Sequence, residues 1–235
     1  MNAATHTDRP SEGFAGFRAG LGIVDELPGW TREEYHDRKP RVASELIEPA
    51  RALVGDIGDR LRSSVDDGLV WETKVGGSIS PLNRDLRFAR DTSTLYKDHL
   101  LLTWWGGTDR RRTPTLWLRL TAEDVGFSSG LSFDGPVRQR WRDAVAGAPG
   151  AELEAVIATL ASATGAEVHG QELKRVPAPW GADHPRADLL RHKGFWVRWS
   201  EPIPAAARNA RFVTWAARRL EQCGPVHRWL QENLT

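Results

Sequence analysis

The chain is poor in residues that staple or anchor a fold. It has one cysteine and one methionine among 235 residues. The lone thiol, Cys223, cannot close an internal disulfide, and its place near the end of a helical stretch reads as a small buried apolar side chain. No apolar run approaches the roughly 18 residues of a membrane-spanning helix, so no membrane partner is expected. Residues Met1 to Glu12 are polar and lack the apolar centre of a signal peptide. That leaves the cytoplasm as the expected compartment and a disordered lead-in as the expected state of residues 1–12. An excess of one charge is lacking too: Lys and Arg number 32, Asp and Glu 31, for a formal net charge of +1. Such balance argues against broad electrostatic capture of nucleic acid, although a local basic patch is compatible with it. There is no C-x-x-C pair, no H-E-x-x-H, no Walker loop and no G-x-G-x-x-G, so neither a metal nor another cofactor is expected.

What remains is globular. Hydrophobic residues make up 40% and charged residues 27%, enough apolar surface for one core. A single domain spanning residues 13–235 is expected. Tryptophan stands out, at 11 against 2 tyrosines. An indole buries a large area but needs an acceptor for its N–H, so the excess marks either an ordinary core or an aromatic-lined pocket. The core is the simpler reading.

Helical spacing of Phe14, Phe17, Leu21 and Val24 predicts a helix over 14–27, stopped by Pro28-Gly29. Thr31 followed by Glu34 forms a capping box, and a second helical stretch should run from there to about Val65 with Leu46, Ala50, Leu53, Ile57 and Leu61 as its apolar stripe. Pro40 and Pro49 inside it predict kinks or breaks. Strands are expected at 69–79, 99–105, 115–120, 127–133, 167–176 and 195–203, with a hairpin loop at 108–114. Helices are expected at 136–146, 151–163, from 183–185 to 192, and at 206–222, with a last turn or two from 225 to 233. Helices at both ends around a block of strands give an α+β fold: a largely antiparallel sheet with helices packed on it.

Four segments invite a chemical reading. Gly126-Phe127-Ser128-Ser129-Gly130 matches the G-x-S-x-G nucleophile elbow, but an elbow needs a helix directly after the serine, and Leu131-Ser132-Phe133 reads as extended. His184, Asp188 and His192 have the spacing of metal ligands on a helix, though capping and a solvated face explain them as well. The run Arg110-Arg111-Arg112 is most simply a solvated turn. The fourth is Arg84-Asp85-Leu86-Arg87-Phe88, followed by Arg90, Asp91, Tyr96 and Lys97. A carboxylate among guanidinium groups can hold an arginine fork toward an anion, and Tyr96 and Lys97 add donors. Arg84, Asp85, Arg87, Tyr96 and Lys97 are therefore the candidate site for a small anionic ligand. The same residues also suit an architectural network, in which Asp85 holds the segment by countering its neighbours' charge.

At this segment the chain resembles the bacterial family called domain of unknown function 2461. The family signature R-x-x-R-D-x-R-F-x-x-x-[DN]-K-x-x-Y is matched by Arg84, Asp85, Arg87, Phe88 and Tyr96. Pro81, Thr92 and Ser93 depart from it, standing where the family has Arg, Asp or Asn, and Lys. Phe14-Ala15-Gly16-Phe17, Leu173-Lys174-Arg175-Val176-Pro177, Asp183-His184-Pro185 and Leu189-Leu190 extend the likeness along the chain. The resemblance implies an α+β fold and no activity. With no catalytic constellation in view, a binding or interaction role is expected, the alternative being an enzyme acting on a small anionic substrate at the same segment.

Overall fold

A computed structural model describes residues 13–87, 89, 91–170 and 172–235. The expected lead-in, Phe88 and Arg90 lie outside the described residues.

The first helical reading is half right. Phe14 and Phe17 are buried as expected, but the helix α1 covers Gly20–Glu26 alone. Ahead of it the chain is irregular, with Gly16 at φ +115° and Arg18 at φ 42°. Tertiary ties replace helical ones: Phe14 N–H donates to Asp56 Oδ2 at 2.7 Å and Phe17 N–H to the Ala207 carbonyl at 3.0 Å. A 3₁₀ turn, Leu27–Gly29, ends α1.

The capping box at Thr31 is formed in both directions, Glu34 N–H to Thr31 Oγ1 at 3.2 Å and Thr31 N–H to Glu34 Oε2 at 2.8 Å. Helix α2 (Arg32–Val42) and helix α3 (Glu48–Ser64) are joined by a π-helical segment, Ala43–Ile47. Pro49 supplies the physical cause. It has no N–H and its ring would meet a carbonyl one turn back, so the backbone widens and Glu48 N–H donates to Ala43, five residues earlier. The expected stripe Leu46, Ala50, Leu53, Ile57 and Leu61 is fully buried.

Among the described residues six strands follow, interrupted by helices: β1 (Leu69–Val70), β2 (Leu100–Gly106), β3 (Thr115–Leu120), β4 (Asp124–Ser132), α4 (Gly135–Ala146), α5 (Pro149–Thr164), β5 (Glu167–His169), α6 (Ala187–Leu190), β6 (Gly194–Pro202), α7 (Arg211–Gln222) and α8 (Gly224–Leu234). They form one sheet in the order β1-β2-β3-β4-β6-β5, every neighbouring pair antiparallel. The fold is α+β. The strand expected at 69–79 shrinks to two residues because the chain turns at Gly76-Gly77; Ile79 then rejoins the edge beside Leu102. The strand expected at 167–176 ends at His169, and Leu173 pairs instead with the Arg191 carbonyl at 2.8 Å. The last helical stretch splits into a 3₁₀ turn, Ala205–Arg208, and α7. Among the described residues no single helix is long and apolar enough to cross a membrane.

Alternation along the strands separates two faces. One carries Leu102, Trp104, Leu116, Leu118, Val125, Phe127, Leu131, Phe195 and Val197, all buried. Helices α3, α7 and α8 pack on it. Trp104 shows how the layers lock, its indole N–H donating to the Val54 carbonyl of α3 at 2.9 Å. Trp141 and Trp229 are equally buried and bond the carbonyls of Leu189 (2.8 Å) and Pro149 (2.9 Å). Cys223 is buried between α7 and α8, and burial pushes its thiol pKa far above the usual range.

Gly16 tests the docking of the N-terminal segment. Its φ is one L side chains rarely adopt, and a Cβ would collide with the Arg208–Asn209 backbone. Gly16→Ala is expected to cost about 1–3 kcal/mol, read as a lower midpoint in chemical denaturation.

Candidate functional site

The segment proposed from sequence is a loop tied across its base. Arg84 N–H donates to the Leu95 carbonyl at 2.9 Å and Lys97 N–H to the Leu82 carbonyl at 2.8 Å. The Arg84 guanidinium binds the Thr94 carbonyl (3.0 Å), the Thr94 hydroxyl and the Asp91 carbonyl (3.3 Å). Lys97 Nζ reaches Ser80 Oγ at 2.9 Å and the Pro81 carbonyl at 2.7 Å, and burial lowers its pKa. Tyr96 is 5% exposed and stacks on Tyr35 of α2, ring centroids 4.7 Å apart. Asp85 and Arg87 sit together at the surface, joined at 2.9 and 2.7 Å, with side chains 56% and 79% exposed. The guanidinium of Arg87 and its backbone N–H hold the Asp85 carboxyl down to about 2. The ties across the loop thus come from Arg84 and Lys97, while Asp85 engages Arg87 two residues away.

The other motifs are absorbed by the fold. Arg110 lies over Trp105 and bonds the Gly77 carbonyl (2.6 Å) and Thr103 Oγ1 (2.9 Å), and Arg112 pairs with Asp134 at 2.8 Å. His184 accepts from Arg186 N–H, Asp188 pairs with Arg191, and His192 is buried 3.9 Å from Glu172. Gly126–Gly130 lies wholly inside β4, so the sharp strand-to-helix turn of an elbow is absent.

It is the face of the sheet turned away from α3, α7 and α8 that holds a cavity, about 930 Å³ in volume. Strand register builds it. Trp117 of β3 and Arg198 of β6 lie opposite Ser128 on either side; Arg119 and Ser200 lie opposite Gly126; Trp196 lies opposite Gly130. The turn from α5 to β5 adds Thr164 and Gly165 at the rim, and His99 and His169 close two edges. Trp117 and Trp196 approach to 6.1 Å between ring centroids. A Cβ at Gly130 would collide with Trp196 and with the Phe195 carbonyl, so that indole rests directly on the strand.

The polar groups divide sharply. Carboxylates here are already engaged: Asp124 with Arg119 (3.3 Å) and Thr121 Oγ1 (3.0 Å), Asp98 with His99 (2.6 Å) and Arg119 (3.5 Å), and Glu167 near His169 (3.6 Å). On this face, among the described residues, the buried groups without a partner are the indole N–H of Trp117 and of Trp196, and the hydroxyl of Ser128, which can donate or accept and whose residue is 7% exposed. Among the described residues the Arg198 guanidinium, which is exposed, has no side-chain hydrogen bond or ion pair, and its charge acts on His169. Both histidines have their pKa lowered, first by burial; at His169 the charge of Arg198 adds to this, while at His99 the Asp98 hydrogen bond opposes it. A buried donor without an acceptor costs about 1–3 kcal/mol, so three on one surface favour an acceptor-rich guest.

An antiparallel sheet covered on one side and hollowed on the other defines the class: an α+β protein with a ligand-sized cavity. The chain belongs to the family described as "Conserved hypothetical protein (DUF2461)", which matches residues 31–229. No curated protein matches the chain significantly.

Two measurements follow from this geometry. In chemical denaturation, Asp85→Ala should leave the midpoint near that of wild type, whereas Arg84→Ala, which strips a charged donor from backbone carbonyls, should cost about 1–3 kcal/mol. Acid should also destabilise. His99 and His192 have pKa values lowered by burial from the ordinary 6.5. The unfolded chain therefore takes up protons that the folded one resists, and stability falls as pH drops through 6.5 toward the folded values. Midpoints at about pH 7.5 and 5.5 check the sign, and His192→Gln should flatten the difference.

Proposed function

We propose that this protein binds a small anionic ligand in the cavity on the open face of its sheet. One observation carries the reading: the buried unpaired groups on this face, the indole N–H of Trp117 and of Trp196 and the hydroxyl of Ser128, can all donate, while Asp98 and Asp124 are engaged. Arg198 supplies the charge, Ser128 and the two indoles supply N–H and O–H donors, and the indoles supply apolar walls. Charge-assisted hydrogen bonds in such a partly desolvated site are stronger than in water.

The test is titration with small carboxylates and phosphates, followed by indole fluorescence. Binding to wild type should weaken at least about tenfold in Arg198→Ala and in Trp117→Ala, a loss of about 1.4 kcal/mol or more. Ser128→Ala removes a buried hydroxyl without a partner and should leave stability unchanged or raise it by about 1 kcal/mol. Binding lost in Arg87→Ala but kept in Arg198→Ala would move the site to the exposed pair on the loop of residues 84–97.

A second reading, an enzyme acting on such an anion, draws on the His99–Asp98 pair at the cavity's edge. A carboxylate holding one ring nitrogen leaves the other free to take a proton. Turnover of a bound probe that vanishes in His99→Gln, with binding retained, distinguishes it.

A further inference from the structure

Gly126 is a glycine that the fold does not require. It lies in a strand paired on both sides, where glycine weakens the structure. Its φ is not in the left-handed region, and a Cβ would meet its nearest neighbour, Arg119 Cβ, at an ordinary 3.5 Å. Gly130 is different, since there a Cβ would strike Trp196 and the Phe195 carbonyl. What the missing side chain at Gly126 does is leave bare peptide as the cavity floor. Ser200 opposite it is also small, so the floor is low across two strands.

Resting on the reading of this cavity as an anion site, we infer that the ligand is a flat aromatic acid whose ring lies on the Gly126 backbone and whose anionic group meets Ser128 and Arg198. Ser128 follows Gly126 by two residues on the same face, about 7 Å along the strand. That is roughly the reach of a six-membered ring carrying a carboxylate. Trp117, opposite Ser128, stands at the ring's edge, where aromatic pairs are favourable. A saturated ring of the same size is thicker and would lift its carboxylate away from both donors.

Calorimetric titration of the full chain with benzoate, 2-naphthoate, cyclohexanecarboxylate and acetate tests this. The aromatic acids should bind at least about tenfold more tightly than cyclohexanecarboxylate, and acetate should not bind measurably. Gly126→Val should abolish aromatic-acid binding while its melting temperature stays the same or rises. Ser200→Leu, which fills the same floor from β6, should do likewise and covers a failure of the first variant to fold. Equal affinity for benzoate and cyclohexanecarboxylate, both lost in Arg198→Ala, would overturn the flat-ring inference and leave the anion site standing. Aromatic-acid binding that survives both floor variants would also overturn it. No binding by any of the four acids would overturn the aromatic-acid inference, and the anion site falls with it only if inorganic phosphate also fails to bind.

Discussion

The alternation of β4 is the constraint on which the molecule depends. Nine residues pair with β6 on one side, six of them also with β3 on the other, so the strand has no freedom to slip. Its odd residues, Val125, Phe127, Ser129 and Leu131, are buried against the helices. Of its even residues, Gly126 and Ser128 form the bed of the cavity and Gly130 lies under the Trp196 indole. A shift of one residue would exchange the two sets, exposing the core and filling the hollow. The same register thus sets both the fold and the site.

Tryptophan use follows the same division except at Trp199, which is buried beside Phe127 with its N–H unpaired. Trp104, Trp141 and Trp229 are structural, each N–H spent on a carbonyl of a neighbouring element. Trp117 and Trp196 lie on the other face with their N–H groups unspent. Composition could not separate these groups, because the difference is one of partners and not of residue type. Both readings of the tryptophan excess hold, each for different residues.

The legibility of the sequence followed how local each signal was. The capping box at Thr31, the interruption near Pro49 and the strand 115–120 rest on neighbouring residues and were readable. Phe14 and Phe17 misled because a loop pinned to α7 can bury residues at helical spacing without being a helix. The open-face cavity was hidden for a related reason: it is assembled from five strands and a turn. One trace was present in Trp117-Leu118-Arg119 and Trp196-Val197-Arg198, two strands that set an indole and a guanidinium two residues apart on the same face. The glycines and serine of 126–130 were also in view, but an elbow was the wrong geometry to ask of them. The Arg84–Lys97 segment drew the eye by its charge, and much of that charge is spent on backbone carbonyls.

The aromatic contact between the first described residues and α7 bears on how the chain reaches its fold. Phe14 and Phe17 pack against Phe212 at centroid distances of 6.0 and 6.5 Å. The two rings pack on each other at 5.1 Å, but their contact with Phe212 joins residues nearly two hundred positions apart. Contacts this distant in sequence close late and slow folding. The segment holding Phe14 and Phe17 therefore gains its contact with α7 late in folding, and α7 completes what the tie to Asp56 begins.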